Sequence, residues 1–400
     1  MAFLSKTEFV SRLQLALNKC LTLYLNAGMP GLPSITPEDL TNIINEAVRT
    51  KRWPATLGGI IKVLKVICEK NVNSKSHSIA KCSSLLAECY KVLERLISEQ
   101  TDNTELRIVK IDKMVAPSVY GNDYAYLRPV FEFASYARKS LEPWTCAVLL
   151  HGSLATLDYV KDYSDFDTLM VIKNQTLSNS LELEQFRKTF RRSLGYLYWF
   201  DPLQHHGHII LTECDLNWYP ERILPIAVFE NARSLTGKQF EISFLVRDST
   251  HECLSELIRV VEVFEERAME SWVPEDPWTT KSFLSELMLL PSIYCQALGH
   301  HCYKKDSFKI AKETMHQNTW SVVNEATEIR KCWHYNRANN LLSGFAVHLG
   351  LNPWIAKKLS TNRRSRVLSQ LPRRIDKTFV QAVANLAACM LQQLETKFKD

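Results

Sequence analysis

Apolar positions along this chain recur on two different periods, and the change between them predicts three parts. Through about residue 105 the spacing is helical. Ser5 and Glu8 have capping-box spacing ahead of Phe9, Val10 and Leu13. Thr36-Pro37-Glu38-Asp39 is a second start, with proline at the first helical position and acids in the first turn. Ile60, Ile61, Val63, Leu64, Val66 and Ile67 form a wide apolar stripe, and 78–97 continues the period. Polar Gln100-Thr101-Asp102-Asn103-Thr104 interrupts it and predicts a linker.

Shorter units follow. Residues 107–111 alternate as a strand does, a helix is expected over 129–140, and strands over 146–150 and 166–172. A helix over 181–197 carries Phe186, Phe190 and Leu194 on one side, and a further strand is expected over 208–214. From about 252 the helical period returns, with Leu254, Leu257, Ile258, Val261 and Phe264 on one face and apolar helices over 283–298 and 380–398. The expectation is an α+β chain with a small mixed sheet in 106–247, flanked by helical domains in 1–105 and 248–400.

Composition narrows the class. The chain has 400 residues, 46% hydrophobic and 23% charged, which is enough apolar content for packed cores. A formal charge of +6 permits an anionic partner without demanding nucleic acid. Eleven cysteines show neither CxxC pairs nor zinc spacing. Cys20, Cys68, Cys89, Cys295 and Cys389 sit in apolar helical contexts and read as buried thiols of a reducing compartment. The first residues turn polar too early for a signal peptide, and no apolar run nears the roughly 20 residues of a membrane span. A cytoplasmic protein with no membrane partner is expected.

The densest chemistry lies between two of the strands. Leu149-Leu150-His151-Gly152-Ser153 ends an apolar run in a Gly-Ser turn, and eleven residues, a helix-sized spacer, separate Ser153 from Asp165-Phe166-Asp167. Carboxylates at i and i+2 of an extended segment project from one face. Held side by side they repel unless a cation joins them, and a divalent metal carrying a polyphosphate is such a cation. Gly152 lets backbone come close to an anion, and the Ser153 hydroxyl can donate to a phosphate oxygen.

Together these elements resemble the signature of the nucleotidyltransferase superfamily related to DNA polymerase β. Two later segments are similar to its aminoglycoside adenylyltransferase branch. Trp218-Tyr219-Pro220 is followed by a helical 227–233 and Leu235-Thr236-Gly237, and the apolar 289–298 leads to Gly299 and Lys304-Lys305-Asp306. The resemblance covers about 130–320 and leaves the N-terminal hundred residues unexplained. It implies Mg2+-dependent transfer of a nucleoside monophosphate, AMP from ATP, onto an acceptor hydroxyl that it does not identify. Asp165 and Asp167 would be catalytic metal ligands, Gly152 and Ser153 would position phosphates, and Lys305, with Lys304 as its neighbour, would hold the nucleotide's phosphates.

The chain departs from that pattern at the third carboxylate. The expected acid falls near His208, within His205-His206-Gly207-His208. Four readings stand: His208 or His206 serves in its place, Asp201 swings in from the loop, Glu213 is the acid in a shifted register, or nucleotide binds without transfer. His208 is taken as the third catalytic residue. The rival function is a nucleotide-sensing or RNA-associated regulatory module on the same scaffold, and an interaction protein with surface acids is a third. Basic runs at 46–75 and 357–374 allow RNA contact but resemble no nucleic-acid module.

Overall fold

A computed structural model of the chain describes residues 6–26, 76–100, 104–333, 340–353, 355 and 375–397. Ser5, the Thr36 start, the stripe at 60–67, Cys68 and both basic runs lie outside the described residues. The fold is mixed helix and sheet, with helices Lys6–Asn26 and Ser76–Ser98 ahead of a seven-stranded sheet and long helices after it.

The strands are β1 (Thr104–Lys113), β2 (Thr145–Leu150), β3 (Thr168–Ile172), β4 (Ile209–Thr212), β5 (Tyr219–Pro220), β6 (Arg233–Ser234) and β7 (Phe240–Arg247). Their order is β4-β3-β2-β6-β1-β7-β5. β3 runs antiparallel to β2 and parallel to β4, with Met170 opposite Ile210. β1 and β7 form the longest antiparallel pair, from Thr104 opposite Arg247 to Ile111 opposite Phe240. The sequence pattern did not announce β7. Its outward side alternates with exposed polar residues, but its pairing with β1 spans more than a hundred positions of chain.

β3 is buried along its whole length, so its two faces feed two cores. Val148, Leu150, Met170, Ile172 and Ile210 face the first, built with helices Tyr124–Tyr136 and Ser180–Phe200. Ala147, Leu149, Leu169, Val171 and Leu211 face the second, with Tyr219, Phe229 and Phe244. Val10, Leu13, Leu17 and Leu93 of the N-terminal helices belong to the first core. The boundary expected at residue 105 is therefore a change of period and not a break in packing. Helices Thr250–Met269, Pro277–Ala297, Gln317–Lys331 and Lys377–Lys397 build a third core of their own, joined by Tyr163 and Leu203 from the sheet region.

Two local expectations change. The spacer after Ser153 is not one helix: a single turn, Ser153–Thr156, stops at Leu157, which adopts left-handed φ +65°, and a loop continues. Strand β4 ends at Thr212 because a capping box with Asp215 starts the turn Glu213–Leu216. Among the described residues, no helix is long and apolar enough to cross a membrane. Cys20, Cys89 and Cys295 are buried, and Cys389 is half-buried.

Candidate active site

Residues 164–167 enter β3 already extended, since the His151 N–H donates to the Asp167 carbonyl at 3.1 Å. Side chains alternate accordingly. Phe166 is buried in the first core, its ring 5.5 Å from Phe133 and 5.6 Å from Phe200. Asp165 and Asp167 emerge on the other side and share a neighbour: His206 Nε2 lies 4.0 Å from Asp165 Oδ2 and 3.1 Å from Asp167 Oδ1. Gly152 lies against Asp167. Its backbone holds φ +69° and ψ −160°, and a Cβ there would stand 3.1 Å from Asp167 Cγ and closer still to Oδ2. Only glycine suits both demands. Gly152→Ala is expected to displace the carboxylate and lower any reaction at the acid pair by about a hundredfold. Gly121→Ala, also at positive φ but with open space around it, should leave that reaction unchanged in the same assay.

Ser153 serves the loop. Its Oγ donates to Ser164 Oγ at 3.1 Å, which accepts the Val160 N–H at 2.9 Å, so the turn and the acid-bearing segment are tied together.

Lys281 is the residue the sequence did not reveal. It sits one turn into helix Pro277–Ala297, whose start is fixed by an Asp276 capping box with Pro277. Its side chain has 0% exposure. The ammonium donates to Asp165 Oδ1 at 2.6 Å and to Asp201 Oδ2, and lies 5.4 Å from the Tyr163 ring. Burial alone would depress a lysine, but Asp165 and Asp201 outweigh it and hold Lys281 above its ordinary range. Burial would likewise raise Asp165, yet Lys281, His205 and His206 hold it well below the usual carboxylate range. Asp201 is 1% exposed and bound to Lys281, so it closes a buried ion triad and does not swing toward the acid pair.

The three histidines part company. His208 has even parity with Phe166 and Ile210, which places it on the first core's face. It stacks on Phe133 at 5.4 Å, its Nδ1 meets Thr168 Oγ1, and its Nε2 meets Ser193 Oγ at 2.8 Å. Burial pushes it down to about 3. The expectation that His208 is the third catalytic residue is corrected: with both ring nitrogens engaged behind the sheet it cannot reach the acids. His206 is the histidine beside both acids. Its Nδ1 donates to the Gly207 carbonyl at 3.0 Å, and Nε2 turns to Asp167. Burial opposes its charge, but the hydrogen bond to Asp167 and the field of both acids lift it to about 9. His205 Nδ1 lies 3.8 Å from Asp165 Oδ1, and burial lowers His205 to about 4. Gln204 ties the two loops together by accepting the Phe166 N–H at 3.2 Å. Glu213, at the far end of β4, accepts the Asn174 N–H at 2.7 Å and has no part in the site.

Lys304 and Lys305 open helix Lys304–Thr314 and lie about 100° apart around it, so one of them at most faces the acids. Lys305 points to solvent, 76% exposed and 3.9 Å from Asp158. Lys304 is half-buried. Burial and the Arg330 guanidinium bring it down to about 8, opposed by Asp167 and Asp165, which places it in electrostatic reach of the acid pair. Among the described residues no carboxylate lies within ion-pair distance of Lys304. Lys305, the lysine expected to hold phosphates, is thus the exposed one of the pair, and Lys304 the half-buried one. Arg330 joins it, 4.8 Å above the Tyr163 ring, with Trp333 packed edge-on to the same ring at 5.4 Å.

The donor set suits a divalent cation. Asp165 and Asp167 offer hard oxygens, and ligand atoms of Asp165, His205 and His206 all lie within 4.8 Å of one another. Comparison of the chain with protein-family models, with curated proteins and with solved structures gives no match in any of the three.

Proposed function

We propose that this chain is a metal-dependent nucleotidyltransferase that moves a nucleoside monophosphate, with ATP as the donor, onto an acceptor hydroxyl. The observation that carries this reading is the pair Asp165 and Asp167 on one side of an extended segment, with the side-chain-free Gly152 against Asp167. A divalent ion held by the two acids, Mg2+ by the resemblance, would neutralise triphosphate charge and polarise the reacting phosphoryl group. Gly152 leaves room for backbone to approach a phosphate. Lys304 and Arg330 would add positive charge in the field of the acids, of the kind a leaving pyrophosphate needs. Lys281 fixes Asp165 in one orientation, and His206 does the same for Asp167.

A second reading, nucleotide binding without transfer, draws on the same geometry. Among the described residues the third nearby carboxylate, Asp201, is committed to Lys281. One assay separates the two. Full-length chain is incubated with Mg2+ and each nucleoside triphosphate, with aminoglycosides, RNA ends and the chain itself as acceptors, and released pyrophosphate is measured beside calorimetric binding. Transfer predicts turnover on one acceptor class, whereas binding with no pyrophosphate from any of them favours the sensor. In the calorimetric arm, Lys304→Met is expected to weaken ATP binding about tenfold through loss of one phosphate contact, and Lys305→Met to leave it unchanged. The reverse order would return the role to Lys305.

A further inference from the structure

The histidine face of the acid pair bears on which metal the site takes. His206 donates Nδ1–H to the Gly207 carbonyl at 3.0 Å, so its other nitrogen, Nε2, is the one turned toward the carboxylates. A backbone carbonyl on the remote nitrogen is the arrangement that orients metal-bound imidazoles. His205 Nδ1 is buried and without a hydrogen-bond partner, and it faces Asp165 Oδ1 at 3.8 Å. That gap is too long for a hydrogen bond. One ligand atom from each of Asp165, His205 and His206 lies within 4.8 Å of the others, and bonds of about 2.0–2.2 Å place two atoms bound to one ion about 3–4 Å apart. The His206 Nε2 to Asp165 Oδ2 distance of 4.0 Å meets the same condition. Lys281 occupies Asp165 Oδ1 and leaves Oδ2 toward His206.

The geometry points to a site for a borderline divalent ion of the Zn2+ class, held by Asp165, His205 and His206 with Asp167 beside them. Two imidazole nitrogens and one carboxylate form a three-ligand set with room for a further ligand, whereas Mg2+ selects oxygen. This deepens the reading of the transfer site and rests on it only for the use to which the metal is put.

The test uses full-length chain in separate ZnCl2 and MgCl2 titrations by calorimetry, with CoCl2 as a spectroscopic probe. Wild type is expected to bind one Zn2+ at this site at least a hundredfold more tightly than Mg2+. His205→Gln and His206→Gln should each weaken Zn2+ at least tenfold, with Mg2+ binding little changed, while the exposed His316→Gln does neither. Zn2+ affinity unaltered in a variant carrying both His205→Gln and His206→Gln, or Mg2+ bound as tightly as Zn2+, overturns the inference. Should a variant fail to fold, the wild-type Co2+ spectrum decides. Strong tetrahedral bands support the site, and an aqua-ion spectrum overturns it. Zn2+ bound through these residues without pyrophosphate release supports this site and sinks only the transfer reading. Mg2+-supported transfer together with Zn2+ affinity unaltered in the double histidine variant sinks only this inference.

Discussion

Asp165→Asn combined with Asp167→Asn is expected to lower nucleotide transfer by about a thousandfold, equivalent to about 4 kcal/mol of transition-state stabilisation. Both side chains keep their shape and lose the charge that would hold a metal. Folding should survive. Lys281 retains Asp201, and an amide oxygen at 165 can still accept its proton. Phe166, which anchors the segment in the first core, is untouched. Pyrophosphate release and a urea unfolding curve on the same preparation check both halves. Transfer at the wild-type rate would remove the acid pair from the mechanism, and an unfolded double variant would show that the pair is structural.

Lys281→Met carries the largest expected cost to stability, about 3–5 kcal/mol. Methionine fills a similar volume. What is lost is the cation between two carboxylates, one of them 1% exposed, and a buried acid without a partner is costly. Lys305→Met, at an exposed position, should change stability by no more than about 0.5 kcal/mol. The pH dependence follows from the directions of the shifts. Asp165 is depressed in the folded chain, so its contribution is present above about pH 4 and fades as pH falls below that. Lys281 is raised, so its contribution is present below about pH 10 and fades as pH rises through its folded value. The gap between wild type and variant should therefore be level from about pH 5 to 9 and narrow on the acid side. A gap that widens in acid, measured by urea midpoints, would contradict the triad. Adding Asp201→Asn to Lys281→Met should recover part of the loss, because the stranded charge is gone.

Much of the local arrangement could be read along the chain. Two-residue spacing is enough to send Phe166 inward and Asp165 and Asp167 outward, whatever the sheet around them. A glycine directly before the short turn at Ser153 announced a backbone that other residues resist. The same parity could have turned His208 away from the acids, whereas His206 lies in the loop before β4, where parity does not reach. Position 208 shares its face with the apolar Ile210, and the odd positions 165 and 167 lie on the opposite face, so the histidine just ahead of strand β4, at the place of the missing acid, was turned the wrong way. Adjacent lysines at a helix start carry no such parity. Choosing Lys304 over Lys305 needs the direction from which the helix meets the acids.

The sequence by itself determined what depends on near neighbours: helical and extended periods, the paired acids, the glycine at the turn and the capping boxes at Asp276 and Thr212. Only the tertiary structure decided what sits opposite the acids. Lys281 reaches Asp165 across 116 positions and Asp201 across 80. A single lysine one turn into a helix has no pattern to mark it. Its neutralising partner is set by how two cores pack together, and contacts of that range leave no trace in the spacing of residues along one strand or helix.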